Sequence, residues 1–215
     1  MTEPLPPVRV WYDRLARIYD PLTDLAFRYR RNQAIRRLEV TEGLTVLEVA
    51  CGTGLNFAAM EQRLGAAGTL IGVDYSEGML ERARRKVAKR GWQNVHLVRA
   101  DAAKLTLADL VAATGKPDLS IDRAICTLGL SIIPEWESAF LATFAVLRPG
   151  ARYVVMDCYF EKKRLIGKTM DRIAGADSTR RFWEPLQQAS VSYEEKDYWF
   201  YEGTLRIAVG VKGAA

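Results

Sequence analysis

The chain has 215 residues and a formal net charge of +5, with 49% hydrophobic and 27% charged residues. This is the composition of an ordinary globular protein, and no apolar run approaches the ~20 residues needed to cross a membrane. The three cysteines have no CxxC spacing and there is one histidine, so a zinc site is not expected. The N-terminal sequence lacks the basic and apolar regions of a signal peptide, so we expect a cytoplasmic protein.

The N-terminal part of the chain is rich in arginine and aromatic residues. Residues 1–8 contain three prolines and predict a loose tail, whereas residues 10–40 predict two helices broken near Asp20 and Pro21. Such helices can cap a sheet with their arginines in solvent. They can also lie on an anionic membrane surface, peripheral to the inner membrane face, and both interpretations remain open.

The strongest local signal lies in residues 45–55, which read TVLEVACGTGL. The β-branched apolar start predicts a buried strand, and Gly52 and Gly54 predict a tight turn into a helix. In an open α/β sheet, such a turn lies at the carboxyl ends of the strands, where ligands bind. Glu48 stands just before the turn, where its carboxylate can meet a cationic or hydroxyl-bearing ligand.

A second apolar strand over residues 69–73 ends in Asp74, about twenty residues after Gly54. An acidic residue at this place suits hydrogen bonding to ribose hydroxyls. The dinucleotide fingerprint G-x-G-x-x-G is incomplete, because Phe57 stands in place of the third glycine. Strand, turn, helix, strand and terminal acid together predict a nucleoside-binding site.

At this point the sequence resembles the class I S-adenosylmethionine-dependent methyltransferases. Residues 48–54, EVACGTG, are similar to the first motif of that family, usually written E/D-x-G-x-G-x-G. Ala50 replaces the first glycine, which should tighten the room for the methionine end of the cofactor. Asp74 matches the ribose-binding acid of the family, and residues 147–150, LRPG, match the turn before its fifth strand.

The resemblance implies the fold and the cofactor. We expect a Rossmann-like α/β fold with a seven-stranded, mostly parallel sheet, a C-terminal antiparallel hairpin, helices on both faces and N-terminal cap helices. We expect S-adenosyl-L-methionine (SAM) as the cofactor. The chain is interpreted as a single domain with tail and cap helices over 1–40, a cofactor-binding core over 41–160, an acceptor-side insertion over 161–190 and a hairpin over 191–215.

The resemblance also implies the residues that bind the cofactor. Asp101 and Ala102 match the motif that meets the adenine amino group, and Met79 lies where the family packs the adenine ring. The end of the fourth predicted strand faces the transferred methyl group. The expected cofactor-binding residues are Tyr19, Glu48, Ala50, Cys51, Gly52, Gly54, Asp74, Tyr75, Met79, Asp101, Ala102, Cys126 and Thr127.

Residues 16–20, ARIYD, resemble the entry of the ubiquinone/menaquinone-biosynthesis and bacterial phospholipid N-methyltransferase branch of the family. By that resemblance Tyr19 faces the methionine end of the cofactor, where it could also position the reactants; an ordinary core aromatic is an equal alternative. Because the methyl group of a sulfonium is already activated, in-line alignment can supply much of the acceleration. Tyr19, Asp20 and Asp157 are the nearest candidates for a base.

The predicted activity is methyl transfer to a lipid-type acceptor, either a phosphatidylethanolamine-like amine or a prenylated quinone precursor. A soluble metabolite is the alternative acceptor, and an RNA-binding or RNA-modifying protein is the alternative from another class. The latter is disfavoured, because no RNA-binding module is evident. Cys51, Cys126 and Cys158 could bind a thiophilic substrate at one mouth, although such cysteines are more often buried hydrophobes. His96 is interpreted as structural.

Local signals also predict several element boundaries. Ser76 should cap a helix that ends at Gly91, and Pro134 should begin a helix that runs to about residue 147. Residues 151–160 should form the fifth strand, residues 161–189 should be mostly helical, and residues 197–201 and 205–211 should form the final hairpin.

Overall fold

The computed structural model describes residues 26–162, 165–201 and 203–214. Its strands are β1 Thr45–Val49, β2 Thr69–Asp74, β3 Val95–Arg99, β4 Ile121–Thr127, β5 Leu147–Tyr159, β6 Ser190–Phe200 and β7 Gly203–Lys212. Its helices are α1 over 26–37, α2 Phe57–Leu64, α3 Glu77–Arg90, α4 Leu107–Thr114, α5 Trp136–Ala145, α6 Leu165–Ala174 and α7 Glu184–Ala189, with a 3₁₀ turn over Ala102–Lys104.

The strands form one seven-stranded sheet in the order β3-β2-β1-β4-β5-β7-β6. The first five strands are parallel to one another, β7 pairs with β5 in the antiparallel sense, and β6 pairs with β7 in the same sense. This arrangement confirms the predicted mostly parallel sheet with a C-terminal antiparallel hairpin. The order reverses direction between β1 and β4, and ligands bind at such a switch point in open α/β sheets.

Helices cover both faces of the sheet and bury a core on each side. On one face α1 packs through Ala34, Ile35 and Leu38, which are all almost fully buried. On the other face Phe140 of α5 stacks on Tyr153 of β5, with ring centroids 5.7 Å apart. Two covered faces explain why the parallel strands read as continuous apolar runs in the sequence. Within the described ranges, no helix is both long and apolar enough to cross a membrane.

The predicted boundaries of α3 are confirmed by its caps. The hydroxyl of Ser76 accepts a hydrogen bond from the backbone N–H of Met79 at 3.2 Å. Gly91 ends the helix in the left-handed conformation with φ of 68°, which costs glycine little because it has no Cβ.

The region between β4 and β5 differs from the prediction. Helix α5 begins at Trp136 instead of Pro134, because the residues before it are held as a loop by side chains described below. Strand β5 begins at Leu147, so the LRPG segment is not a turn but an irregularity of the strand, where pairing moves from Ile121–Leu147 to Arg123–Arg152. The ammonium group of Lys212 satisfies the carbonyls at the end of α5, including that of Ala145 at 2.8 Å.

The C-terminal third is less helical and more extended than expected. Within 161–189, helices form over α6 and α7, while residues 175–183 are irregular. Strand β6 begins at Ser190, seven residues before the predicted start at 197. It is an edge strand, and its many charged side chains obscured the alternation that marks a strand with one buried face.

Gly54 is required for packing beneath the turn after β1. Its φ is +74°, and a Cβ at this position would lie 2.5 Å from Cδ2 of Phe57. The Phe57 side chain is fully buried and cannot move aside easily. Phe57 stands in place of the third glycine of the dinucleotide fingerprint, so its ring fills the space that Gly54 leaves.

We predict that Gly54→Ala destabilises the protein more than Gly115→Ala. Gly115 also has a positive φ, +65°, but a Cβ there meets nothing within 4 Å. Both variants strain the backbone, while overpacking adds about 1–3 kcal/mol at Gly54 only. Thermal unfolding should therefore show a midpoint at least about 2–4 °C lower for Gly54→Ala. Equal midpoints would contradict the packing role of Gly54.

Candidate functional site

A cavity opens at the carboxyl ends of β1, β2 and β4, at the switch point of the sheet. Most of the residues predicted from the sequence line it. These are Glu48, Ala50, Cys51, Gly52, Asp74, Tyr75, Met79, Asp101, Ala102 and Thr127.

Three of the predicted residues are not on the described wall of the cavity. Gly54 packs against Phe57 instead of facing the cavity. Cys126 is fully buried within the core and does not reach the wall. Tyr19 lies outside the described residues, as does Asp20.

Sequence reasoning missed two groups of lining residues. Arg31 of α1 lines the cavity with only 4% of its surface exposed, and Asn56 lies at the entry of α2 with 3% exposed. The loop after β4 supplies an apolar wall made of Leu128, Ile132 and Ile133. Arg31 stands three and four residues before the buried Ala34 and Ile35, and this helical spacing was the available signal that it faces inward.

The polar end of the cavity is built around Glu48. Its Oε1 accepts a hydrogen bond from Nδ2 of Asn56 at 2.7 Å, and the same nitrogen donates to Oγ1 of Thr127 at 2.9 Å. The second carboxylate oxygen of Glu48, Oε2, and the amide oxygen of Asn56 are buried and have no hydrogen-bond partner among the described residues. A buried acceptor without a donor is costly, so these two oxygens indicate a donor group that a ligand supplies.

Burial also sets the charge of Glu48. Loss of hydration raises the pKa of its carboxyl to about 8, although the hydrogen bond from Asn56 and the positive charge of Arg31 act in the opposite direction. Without ligand this carboxyl is therefore largely protonated at neutral pH. A cationic group that arrives beside it favours the ionised form, so binding of a cation should release a proton.

These features fit the methionine end of SAM. Its ammonium group would supply the donors that Glu48 Oε2 and Asn56 Oδ1 lack, and the guanidinium of Arg31 would suit its carboxylate. The buried oxygens Oε2 of Glu48 and Oδ1 of Asn56 support this fit, since they lie where the resemblance places this end of the cofactor.

Asp74 holds the turn after β1 against the end of β2. Its Oδ2 accepts from the backbone N–H of Gly52 at 2.7 Å, and its Oδ1 accepts from that of Ser76 at 2.9 Å. A carboxylate has about four lone-pair sites, so the same oxygens can also accept from ribose hydroxyls. Farther along the wall, Oδ1 of Asp101 accepts from the N–H of Ala103 at 3.1 Å and fixes the 3₁₀ turn.

Ala50 is accommodated by a close approach of the opposite loop. It has a φ of +53°, a left-handed conformation that usually favours glycine. A Cβ added to Gly129 would lie 2.7 Å from the Cβ of Ala50. The methyl group that replaces the family's glycine thus points toward Gly129, and the absence of a side chain there makes room for it.

The apolar wall is anchored from behind by Asp157. The backbone N–H and the hydroxyl of Ser131 donate to its carboxylate at 2.9 and 2.8 Å, and the N–H of Cys158 donates at 2.8 Å. Asp157 is 1% exposed, and burial raises its pKa to about 6. Because its hydrogen bonds go to the loop and the strand, and it does not line the cavity, Asp157 acts as an anchor and the structure does not place it as a base.

The segment before α7 holds the same loop. Nη1 of Arg180 donates to the carbonyl of Leu130 at 2.7 Å and also to that of Ile133. The N–H of Asp177 donates to the carbonyl of Ser131 at 2.7 Å. Residues 128–134 are therefore held in a non-helical path, which is why α5 starts later than predicted.

The cysteines do not gather at one mouth. Cys51 belongs to the core on one face of the sheet and Cys126 to the core on the other, while Cys158 is half-buried beside the first. Burial raises the pKa of all three thiols, so they are uncharged at neutral pH. In the part of the chain that the structure describes, no three His, Cys, Asp or Glu side chains are grouped to hold a metal ion.

We predict that Glu48→Gln stabilises the ligand-free protein and weakens SAM binding. In the folded state the raised pKa of Glu48 disfavours ionisation, so wild-type stability falls as pH rises from about 4.5 to about 8. The amide removes this loss. The melting temperature of the variant should exceed that of wild type by about 2–4 °C or more at pH 8 and differ little near pH 4.5.

The same variant should bind SAM at least about tenfold more weakly by calorimetry, since a charge-assisted hydrogen bond is lost. Glu61→Gln is the control: Glu61 is also buried, but it accepts from Asn94 outside the cavity. A less stable Glu48→Gln with unchanged SAM affinity would refute the assignment.

We predict that Arg180→Met loosens the apolar wall. The substitution leaves the carbonyls of Leu130 and Ile133 without their donor, which costs about 1–3 kcal/mol. Hydrogen exchange of the amides in 130–133 should accelerate about tenfold. Arg181→Met is the matched control, because the Arg181 side chain is 59% exposed and pairs with Glu184 at the surface. Similar exchange rates in both variants would argue against the anchor.

Comparison with known proteins shows which proteins this chain resembles. The Methyltransferase domain family matches residues 46–150, which contain the turn after β1, Asp74 and β4. The demethylmenaquinone methyltransferase of Anoxybacillus flavithermus is 28% identical over 146 residues, which are 68% of this chain and 56% of that protein. The matched part thus spans little more than half of that relative.

Solved structures with the same fold cover nearly the whole chain. One is a chain of the complex between the Haloferax volcanii Trm112 methyltransferase activator and a methyltransferase, with a TM-score of 0.74, 18% identity and coverage of 94% of this chain and 98% of that one. Another is the phosphoethanolamine N-methyltransferase 2 of Haemonchus contortus in complex with SAM, with a TM-score of 0.74, 13% identity and coverage of 100% and 62%. In its matched segment, its fold and its cavity, the chain is thus similar to SAM-dependent methyltransferases.

Proposed function

We propose that the chain transfers the methyl group of SAM to a ring carbon of a quinol that carries a prenyl tail. The observation that carries this proposal is the apolar wall of Leu128, Ile132 and Ile133, which lines the same cavity as the polar group around Glu48. An apolar wall favours a planar, uncharged ring over an amine cation, whose burial would need a compensating charge. The relatives named demethylmenaquinone methyltransferase support the same acceptor class.

Each part of the cavity has a role in this reaction. SAM supplies a methyl group that its sulfonium has activated. Glu48, Asn56 and Arg31 hold the amino-acid end of the donor, and Asp74 holds the ribose. The apolar wall excludes water and orients the acceptor ring, so the chain contributes alignment of nucleophile, methyl group and leaving sulfur.

Among the described residues that line the cavity, none on the acceptor side is placed as a base, and the proposed reaction does not require one. The ionisable groups on the wall, such as Glu48, Asp74 and Asp101, lie at the donor end, and the acceptor loop contributes only apolar side chains and backbone. The ring carbon of an electron-rich quinol is nucleophilic before any proton is removed. The new carbon–carbon bond forms as the carbon–sulfur bond breaks, and the ring proton then passes to water at the open mouth of the cavity.

We predict that the purified protein, given methyl-labelled SAM, labels a demethylmenaquinol with a short prenyl tail and does not label phosphatidylethanolamine. Fragmentation of the product by mass spectrometry should place the label on the ring. Ile133→Asn should raise the KM for the quinol about tenfold, because burial of an apolar side chain contributes about 1.5–3 kcal/mol. Its affinity for SAM should stay within about twofold of wild type, since the contacts of the donor end are intact.

Label on the amine instead of the ring would replace the quinol with a lipid amine as acceptor. Label only on a soluble metabolite from a cell extract would remove the lipid character of the acceptor altogether. Either result would leave the similarity of the chain to SAM-dependent methyltransferases unchanged.

A further inference from the structure

Two large aromatic side chains are exposed at the β6–β7 turn, and a third is exposed on α1, which packs on the same strand. Trp199, Tyr29 and Tyr201 are 83%, 67% and 57% exposed, and we call them the aromatic rim. The ring centroids of Trp199 and Tyr201 are 6.4 Å apart. Tyr201 also packs edge-on against Phe200, which in turn lies 5.2 Å from Phe27 of α1. The rim is thus fixed to the core by two partly buried phenylalanines.

The aromatic rim lies at the same edge of the sheet as the cavity. Strand β6 runs toward this edge, the chain turns after Phe200, and Thr204 pairs with Tyr159 at the carboxyl end of β5. Helix α1 connects the two regions, because its Arg31 lines the cavity while its Phe27 packs on Phe200. About three strand spacings, or roughly 15 Å, separate β4 from β6 across the sheet.

Positive charge accompanies the aromatic rim. The guanidinium of Arg30 lies 3.9 Å from the ring centroid of Tyr198 and 5.2 Å from that of Tyr29, and the ammonium of Lys196 lies 5.8 Å from the former. Arg28 is a further exposed cation on α1. The nearest acid on β6, Asp197, accepts two hydrogen bonds of 2.7 Å from Arg206, which also pairs with Glu195 at 3.4 Å.

We propose that the aromatic rim docks the protein on an anionic bilayer, with Trp199 and Tyr201 at the level of the lipid headgroups. Tryptophan and tyrosine favour this interface because one end of each ring system is apolar and the other forms hydrogen bonds. The neighbouring arginines and lysine complement anionic headgroups, because a basic side chain near such a surface is attracted by its negative potential. The biological use of this site rests on the proposed function, since a prenylated acceptor resides in the bilayer and would reach the cavity from the same edge.

The test uses the full chain and sedimentation with vesicles of phosphatidylcholine alone or with about one third phosphatidylglycerol. Wild type should bind the anionic vesicles at least about tenfold more tightly than the neutral ones. The double variant Trp199→Ala with Tyr201→Ala should lose about tenfold in affinity for the anionic vesicles, because the buried apolar area is lost. Val191→Ser is the matched control and should bind as wild type does, since Val191 is 74% exposed at the other end of β6.

Equal binding by wild type and the double variant would overturn the proposal, as would failure of wild type to prefer anionic vesicles. A wild-type dimer in sedimentation velocity that the double variant breaks, without vesicle binding, would assign the rim to a second copy of the chain and also overturn it. Vesicle binding needs neither SAM nor an acceptor, so its result is independent of methyl transfer. With a short-chain acceptor free in solution, the double variant should retain wild-type kcat/KM within about twofold, since the cavity is intact.

Discussion

The buried carboxyl of Glu48 is the constraint on which the site depends. It sits at the end of a central strand, with one oxygen bonded to Asn56 and the other without a partner. Burial removes the hydration of this carboxyl and disfavours its charged form, which is the reason for the raised pKa of Glu48. The fold tolerates it because both faces of β1 are covered and the core is large. The ligand-free fold is thus less stable at the place where we propose that a cation binds.

The apolar wall of the cavity has the opposite arrangement, because its backbone has hydrogen-bond partners outside the cavity. The loop after β4 has apolar side chains toward the cavity and a backbone that is satisfied from behind by Asp157, Asp177 and Arg180. Anchoring the backbone lets the side chains of Ile132 and Ile133 line the cavity while two carbonyls of this loop accept hydrogen bonds from Arg180. The polar end of the cavity has buried oxygens that a ligand could satisfy. Among the described residues, the apolar wall has no buried side-chain oxygen or nitrogen without a partner, so an apolar ring can lie against it.

The sequence predicted the donor half of the site better than the acceptor half, for a physical reason. Residues such as Asp74 and Gly52 follow directly from strands, and the carboxyl ends of parallel strands meet at one edge. The helical spacing of Arg31 indicates that it faces inward, but not which part of the sheet its helix covers. Ile133 reaches the cavity from a loop, whose placement depends on tertiary contacts that leave no local periodicity. The late start of α5 has the same origin. Pro134 permits a helix, but hydrogen bonds to Ser131 and Ile133 hold the residues just before it in a loop.

The C-terminal hairpin extends this argument to the position of the aromatic rim. A parallel sheet has its loops at both edges, but adding an antiparallel pair places a tight turn at one edge only. Because β7 is antiparallel to β5, the turn that precedes it must lie at the carboxyl edge, beside the cavity. The exposed ring of Trp199 therefore lies at the edge of the sheet beside the site because of the strand topology, and not because of the length of the chain before it. The topology that creates the ligand-binding edge also presents the hairpin tip alongside it, and the charges of α1 lie between the two.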